Sequence, residues 1–217
     1  MQQWAELLIE IVRLKGETST TRPLPCGGES GVNPPIAANL ALVLFALSEA
    51  VLRRGRTAKS VSRGKDDRGT SLQILLSYIL AVLLLVAAGR FEGELLGLAW
   101  RWAGISTAFV GLALRWWGMI SLGGFYTRTL TTVGDQKVVD TGPYRYIRHP
   151  GYLGSILTWL GASVALAPPV IVIVVAALLT AAYVRRIRAE EAMLATSLGS
   201  AYEAYSAKTW RLLPPVY

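Results

Sequence analysis

Five long apolar stretches run through the sequence: Ile36 to Leu52, Leu72 to Ala88, Leu95 to Leu122, Tyr152 to Leu166 and Val170 to Val184. They constrain the fold more than any other feature. At a rise of about 1.5 Å per residue, a helix over either of the first two is roughly one bilayer span, and the third is longer. The last two are shorter and flank Ala167-Pro168-Pro169. Two prolines in succession break helical hydrogen bonding, so this pair reads as a tight membrane hairpin. The chain is 53% hydrophobic and only 17% charged, yet carries a formal net charge of +8. Soluble domains run nearer roughly 25% charged. Apolar segments in lipid with basic loops facing an anionic leaflet reconcile the two properties. Nucleic-acid binding fits poorly, because the charge is not built on a polar domain. We therefore expect an all-α integral membrane protein of about five transmembrane helices, with a C-terminal helical hairpin and a cytoplasmic amphipathic helix.

Charge gives an orientation. The first loop holds seven basic residues, Arg53, Arg54, Arg56, Lys59, Arg63, Lys65 and Arg68. The third loop adds Arg128, Lys137, Arg145 and Arg148, and the tail adds Arg185, Arg186, Arg188, Lys208 and Arg211. In a five-span arrangement these share one side, which the positive-inside rule makes cytoplasmic, with the N-terminus outside. Arg101 and Arg115 interrupt the third stretch and are expected near its ends, snorkelling to the interfaces. Residues 1–35 read as an extension and linker, 36–122 as spans 1 to 3, and 123–217 as a C-terminal region that includes the hairpin. Within the extension, Trp4, Leu7, Leu8, Ile11 and Val12 have the spacing of a short interfacial helix, a mobile end being the alternative.

A single cysteine, Cys26, and a single histidine, His149, leave no basis for a disulfide or a His/Cys metal centre. The specific polar residues instead gather in two segments. One is Gly142-Pro143-Tyr144-Arg145-Tyr146-Ile147-Arg148-His149-Pro150-Gly151-Tyr152, and the other runs from Arg185 through Glu190-Glu191 to Arg211 and Pro214. A hairpin returns the chain to the side it left, so both segments meet at one membrane face. There they can enclose a site open to lipid on one side and to water on the other.

The first segment resembles the signature of the isoprenylcysteine carboxyl methyltransferase family and its phospholipid methyltransferase relatives. Downstream, Glu190-Glu191, Leu194, Gly199, Tyr202, Tyr205, Arg211 and Pro214 follow the same pattern. The resemblance covers roughly residues 120 to 217. It implies a membrane-embedded methyltransferase using S-adenosylmethionine, with the loop before the hairpin and the C-terminal helix enclosing the cofactor. A lipophilic or prenylated acceptor would enter from the bilayer. No GxGxxG follows a strand pattern, so a soluble Rossmann domain is not expected.

Each of these residues has a site role beside a plainer structural one. His149 precedes Pro150, which holds it extended at a loop-to-helix junction, where it can donate to the cofactor or cap the helix. Arg148 can pair with the cofactor carboxylate, with a lipid phosphate, or serve as a positive-inside anchor. Tyr144, Tyr146 and Tyr152 can stack on adenine or bond its sugar; interfacial tyrosines also form membrane belts. Glu190 and Glu191 suit a cofactor that is cationic at sulfur and at its amino group, and a carboxylate also suits a ribose diol; a solvated charged face, with Arg186 pairing Glu190, is the alternative. Leu194, Leu198, Ala201, Tyr202 and Tyr205 read as one helical stripe, with Tyr202 and Tyr205 at the cavity edge. Arg211 can orient an acceptor carboxylate by a bidentate pair, and such an acceptor needs no general base. An amine or thiol acceptor would need Glu190, Glu191 or Tyr205 to take a proton. Trp100, Trp102, Trp116 and Trp117 have the placement of an aromatic belt, and Gly104, Gly111, Gly118, Gly123 and Gly124 suit close helix packing more than room for a lipid tail.

Two other classes compete. Sterol-type membrane reductases carry a similar Arg-His-Pro-x-Tyr segment and bind a nicotinamide cofactor; the glutamate pair and the short layout favour methyl transfer. A non-enzymatic lipid-binding protein would leave Arg148, His149, Glu190 and Arg211 without a common purpose.

Overall fold

The computed structural model describes residues 33–54, 69–90, 95–123 and 138–214. The N-terminal helix expected within residues 1–33, and most of the basic first and third loops, lie outside the described residues. Helices cover all five apolar stretches: α1 Pro34–Arg54, α2 Thr70–Ala88, α3 Leu98–Leu122, α4 Pro150–Leu166 and α5 Pro169–Leu198, with a short α6 at Ser200–Ser206. Among the described residues there is no sheet. Three of the helices, α2, α3 and α5, are long and apolar enough to cross a membrane; the apolar part of α1, Pro34–Ala50, is shorter.

The helix ends follow local sequence. The Asn33 carbonyl accepts from the amides of Ile36 and Ala37 as α1 starts at Pro34. α4 starts at Pro150, whose missing N–H is no loss in a first turn. It stops at Leu166 because Ala167 and Pro168 are extended, and Pro169 then opens α5. The hairpin is thus the turn the two prolines imply. α5 continues well past Val184 to Leu198, so the apolar arm and the helix carrying Glu190 and Glu191 are one continuous rod.

α4 is the central helix. It is buried along most of its length, including Ser155, Thr158 and Ser163. Their hydroxyls donate to carbonyls one turn earlier, at Gly151, Gly154 and Trp159, so none of the three hydroxyls is stranded. Being lined by protein on most sides, α4 can be shorter than α3 and α5. Its closest partner is α3. A Cβ on Gly154 would come within 2.5 Å of the Gly111 carbonyl, and one on Gly161 within 2.3 Å of the Gly104 carbonyl. The backbones touch, and the glycines are there for close packing. Trp100 and Trp117, near opposite ends of α3, are 66% and 53% exposed, as a belt requires.

Two expectations are corrected. Arg101 does sit near an end of α3, donating from Nε to the Ala165 carbonyl at 3.0 Å. Arg115 does not snorkel: it is buried and ion-paired with Glu49 of α1. The free-energy cost of a charge at membrane depth is met here by an internal counter-ion, not by reach to water. The expected stripe from Leu194 to Tyr205 is not one helix either. Gly199, with φ of +54°, breaks α5 from α6, and this left-handed turn buries Tyr202 while leaving Ala201 exposed.

Candidate active site

The expected meeting of two segments occurs, and main-chain pairing brings it about. After a 3-10 turn at Gly142–Arg145, the chain runs extended through Ile147 beside the C-terminal segment, forming a single parallel bridge between Ile147 and Trp210. The Trp210 amide donates to the Tyr146 carbonyl at 3.0 Å. The Arg148 amide donates to the Trp210 carbonyl at 2.7 Å, and the His149 amide to the Arg211 carbonyl at 3.1 Å. Arg148, His149 and Arg211 are thereby fixed side by side on two strands of chain some sixty residues apart.

α5 supplies the third wall. Glu191 Oε1 accepts from Arg148 Nε at 2.8 Å and lies 3.4 Å from His149 Nε2, while Oε2 accepts from Arg211 Nε at 2.8 Å. One carboxylate therefore joins three segments. Arg148 also donates from NH1 to the Ser206 carbonyl at 2.8 Å and to the Thr209 carbonyl, tying down the chain after α6. Glu191 and Arg148 are nearly buried, at 13% and 9% side-chain exposure, whereas Arg211 is 42% exposed. Removing one partner from so buried a pair typically costs about 3–5 kcal/mol.

Glu190, one residue away on the helix, has a different setting. It accepts a hydrogen bond from the Tyr152 hydroxyl, which in turn accepts from Arg186 Nε at 3.1 Å. His149 Nδ1 is 4.0 Å from it, and its side chain is 25% exposed. The expected direct Arg186–Glu190 alignment thus has Tyr152 set between its ends. His149 caps α4, is itself buried, and stacks on Tyr152 with ring centroids 5.4 Å apart and planes within 4°.

The other tyrosines divide. The Tyr205 hydroxyl donates to the Tyr144 carbonyl at 2.8 Å, closing α6 onto the 3-10 turn. Burial pushes its phenol up to about 12, opposed by Arg148 and assisted by Asp140, so it stays protonated near neutral pH. That speaks against Tyr205 as a proton acceptor. Burial raises Tyr202 as well, helped by the negative charge of Glu191. The Tyr202 hydroxyl is buried without a hydrogen-bond partner among the described residues. Tyr146 is 62% exposed, as a belt residue would be. An open cleft of about 440 Å³ lies against this joint, bordered by Arg148 and by residues 206–211.

Glu49, Arg115 and Ser155, just beneath the site, escaped sequence reasoning as site residues. The signal was an arginine inside an apolar run and an acid in another, but nothing in the sequence pairs them.

The donor set fits a small ligand carrying both signs of charge. Glu190 offers partial exposure to a cationic centre or a diol, Arg211 offers a guanidinium at the cleft edge, and the unpartnered Tyr202 hydroxyl lacks an acceptor or donor that a ligand would supply.

Comparisons with known proteins agree with this arrangement. The sequence profile of the isoprenylcysteine carboxyl methyltransferase (ICMT) family matches residues 103–196. The chain is 30% identical over 181 residues to a probable protein-S-isoprenylcysteine O-methyltransferase of Oryza sativa subsp. indica, covering 80% of this chain and 92% of the relative. It is 29% identical over 174 residues to protein-S-isoprenylcysteine O-methyltransferase A of Arabidopsis thaliana, covering 77% and 86%. In fold it is similar to the eukaryotic intramembrane Ras methyltransferase ICMT, with a TM-score of 0.62 at 18% identity over 86% of this chain and 70% of that one. The chain belongs to the isoprenylcysteine carboxyl methyltransferase family and is an integral-membrane methyltransferase.

Proposed function

We propose that this protein transfers a methyl group from S-adenosylmethionine to the carboxylate of an isoprenylcysteine. The observation that carries the reading is the Glu191 joint, which sets Arg148, His149 and Arg211 around one carboxylate beside the partly exposed Glu190 and the unpartnered hydroxyl of Tyr202. The names of the relatives support the acceptor class. When bound, the cofactor supplies an electrophilic methyl on a sulfonium, and its loss leaves a neutral thioether.

The residues of this chain then have distinct roles. Glu190, with Tyr152 and His149 behind it, faces the cationic part or the ribose diol of the cofactor. Tyr202 offers its hydroxyl, and Tyr144 and Pro150 help shape the wall of the loop. Glu191 and Arg148 hold the three segments together. Arg211, bound by Nε to Glu191, would orient the acceptor carboxylate, and Tyr205 fixes the loop beside it. A carboxylate oxygen forms the new bond, so no proton moves and no general base is required. Positioning and exclusion of water supply the rate.

We also propose five spans, with the C-terminus and the site on the cytoplasmic side. Support comes from the shared end of the molecule: Arg186 near the start of α2, Arg148 at the start of α4 and Arg188 near the end of α5 all cluster there. Residues 1–35 are then an extension, 36–122 the first three spans, and 123–217 the catalytic region.

Calorimetry with detergent-purified protein tests the cofactor, and transfer of labelled methyl to a farnesylated cysteine tests the acceptor. We expect binding of S-adenosylhomocysteine, weakened by Glu190→Ala, and a base-labile methyl ester as product. Arg211→Ala should lower turnover while leaving cofactor binding nearly intact. Binding of NADPH without S-adenosylhomocysteine would sink the reading, and label appearing on phospholipid amines alone would replace the acceptor.

A further inference from the structure

Below the site, at the level where α4 begins, lies a second buried charge cluster. Arg115 of α3 is only 5% exposed. Its NH1 donates to the Gly151 carbonyl at 3.2 Å and to Ser155 Oγ at 2.7 Å. Its NH2 pairs with Glu49 of α1, and its guanidinium lies 5.0 Å from the centre of the Phe45 ring. Ser155 Oγ itself donates to the Gly151 carbonyl at 2.8 Å, so one guanidinium nitrogen holds both groups of the first turn of α4 while the other holds Glu49. That turn carries His149 at its cap and Tyr152 facing α5, the two rings stacked on each other. On a rigid helix, a change in the height or rotation of Gly151 moves both rings against Glu190 and Glu191.

A pair of buried charges is a poor device for stability alone, since apolar residues of similar volume commonly do as well. The geometry points to Glu49 and Arg115 as positioning residues for methyl transfer, fixing the first turn of α4 and thereby His149 and Tyr152. This rests on the proposed cofactor reading of the site. It makes α1, which lies outside the family-profile match at residues 103–196, part of the catalytic apparatus. Glu49 touches no reacting group; it neutralises Arg115 and aims it.

The test compares stability with ligand affinity in the full chain in detergent. The double variant Glu49→Leu/Arg115→Met replaces the pair by apolar residues of similar size. We expect its Tm within about 4 °C of the parent, with S-adenosylhomocysteine binding weakened roughly tenfold and turnover down on the order of 100-fold. Arg115→Lys keeps a cation but has only one nitrogen, which cannot hold the first turn of α4 and Glu49 from separate atoms, so it should bind and turn over at intermediate levels. A double variant with parent Tm, parent affinity and parent turnover overturns the positioning role and leaves a mere strut. Should the double variant not fold, Ser155→Ala decides: weaker binding at unchanged Tm supports the role, and unchanged binding overturns it. A parent protein that binds no S-adenosylhomocysteine overturns the cofactor reading itself, and the positioning role falls with it.

Discussion

The α3–α4 seam and the Glu191 joint hold the molecule by opposite means. At the seam, Gly104, Gly111, Gly154 and Gly161 let two backbones meet, and there is no room for an added atom. At the joint, Arg148, His149 and Arg211 converge on one carboxylate. The seam lies where lipid is the alternative solvent. Apolar side chains gain little there by leaving lipid, so close packing supplies the association energy. The joint lies where the chain leaves the apolar stretch of α5 and charge pairs can link segments far apart in sequence. Packing therefore sets the rigid frame, and electrostatics closes the site upon it.

This contrast can be broken from either side. Gly154→Val should have the largest effect, because the new side chain meets the Gly111 carbonyl and the Arg115 amide at distances no real Cβ tolerates. Overpacking costs about 1–3 kcal/mol in cores able to adjust, and two backbones in contact cannot adjust, so we expect aggregation or a large fall in Tm, read by size-exclusion and thermal melting. Glu191→Ala should leave the seam and the bulk of the melting transition intact but free the C-terminal segment. A loss of about 3–5 kcal/mol should appear as fast hydrogen exchange and protease cleavage within residues 206–214. Unchanged protection there would mean that main-chain pairing with residues 146–149 is enough by itself. Tyr205→Phe should be the mildest change. It removes one hydrogen bond to the Tyr144 carbonyl, worth about 0.5–1.5 kcal/mol, and should raise KM slightly with Tm nearly unchanged.

Much of the frame was legible in the sequence. The proline pair located the hairpin because two missing or clashing backbone positions cannot lie inside a helix. Of the glycines expected to pack closely, Gly104, Gly111 and Gly118 meet α4, whereas Gly123 has open space beside it. The site was legible as a set of residues, since the polar groups of two segments had to meet. Their roles were not. Glu190 and Glu191 are adjacent in sequence, but a helix turns about 100° between neighbours, so one faces the arginine joint and the other the partly exposed side. Hydropathy treats Arg115 as a charge to be moved to the nearest span end. It cannot anticipate Glu49, 66 residues earlier, as a counter-ion inside the bundle.

The sequence by itself therefore determined the membrane setting, the helices and which two polar segments meet, because these follow from local apolarity, backbone constraints and the return of a hairpin. Only the tertiary structure decided which acid is saturated and which remains available, that Arg115 is buried, and that the last residues anneal to the loop before α4. Those outcomes depend on groups tens of residues apart arriving within hydrogen-bond distance, and no periodicity along the chain encodes that.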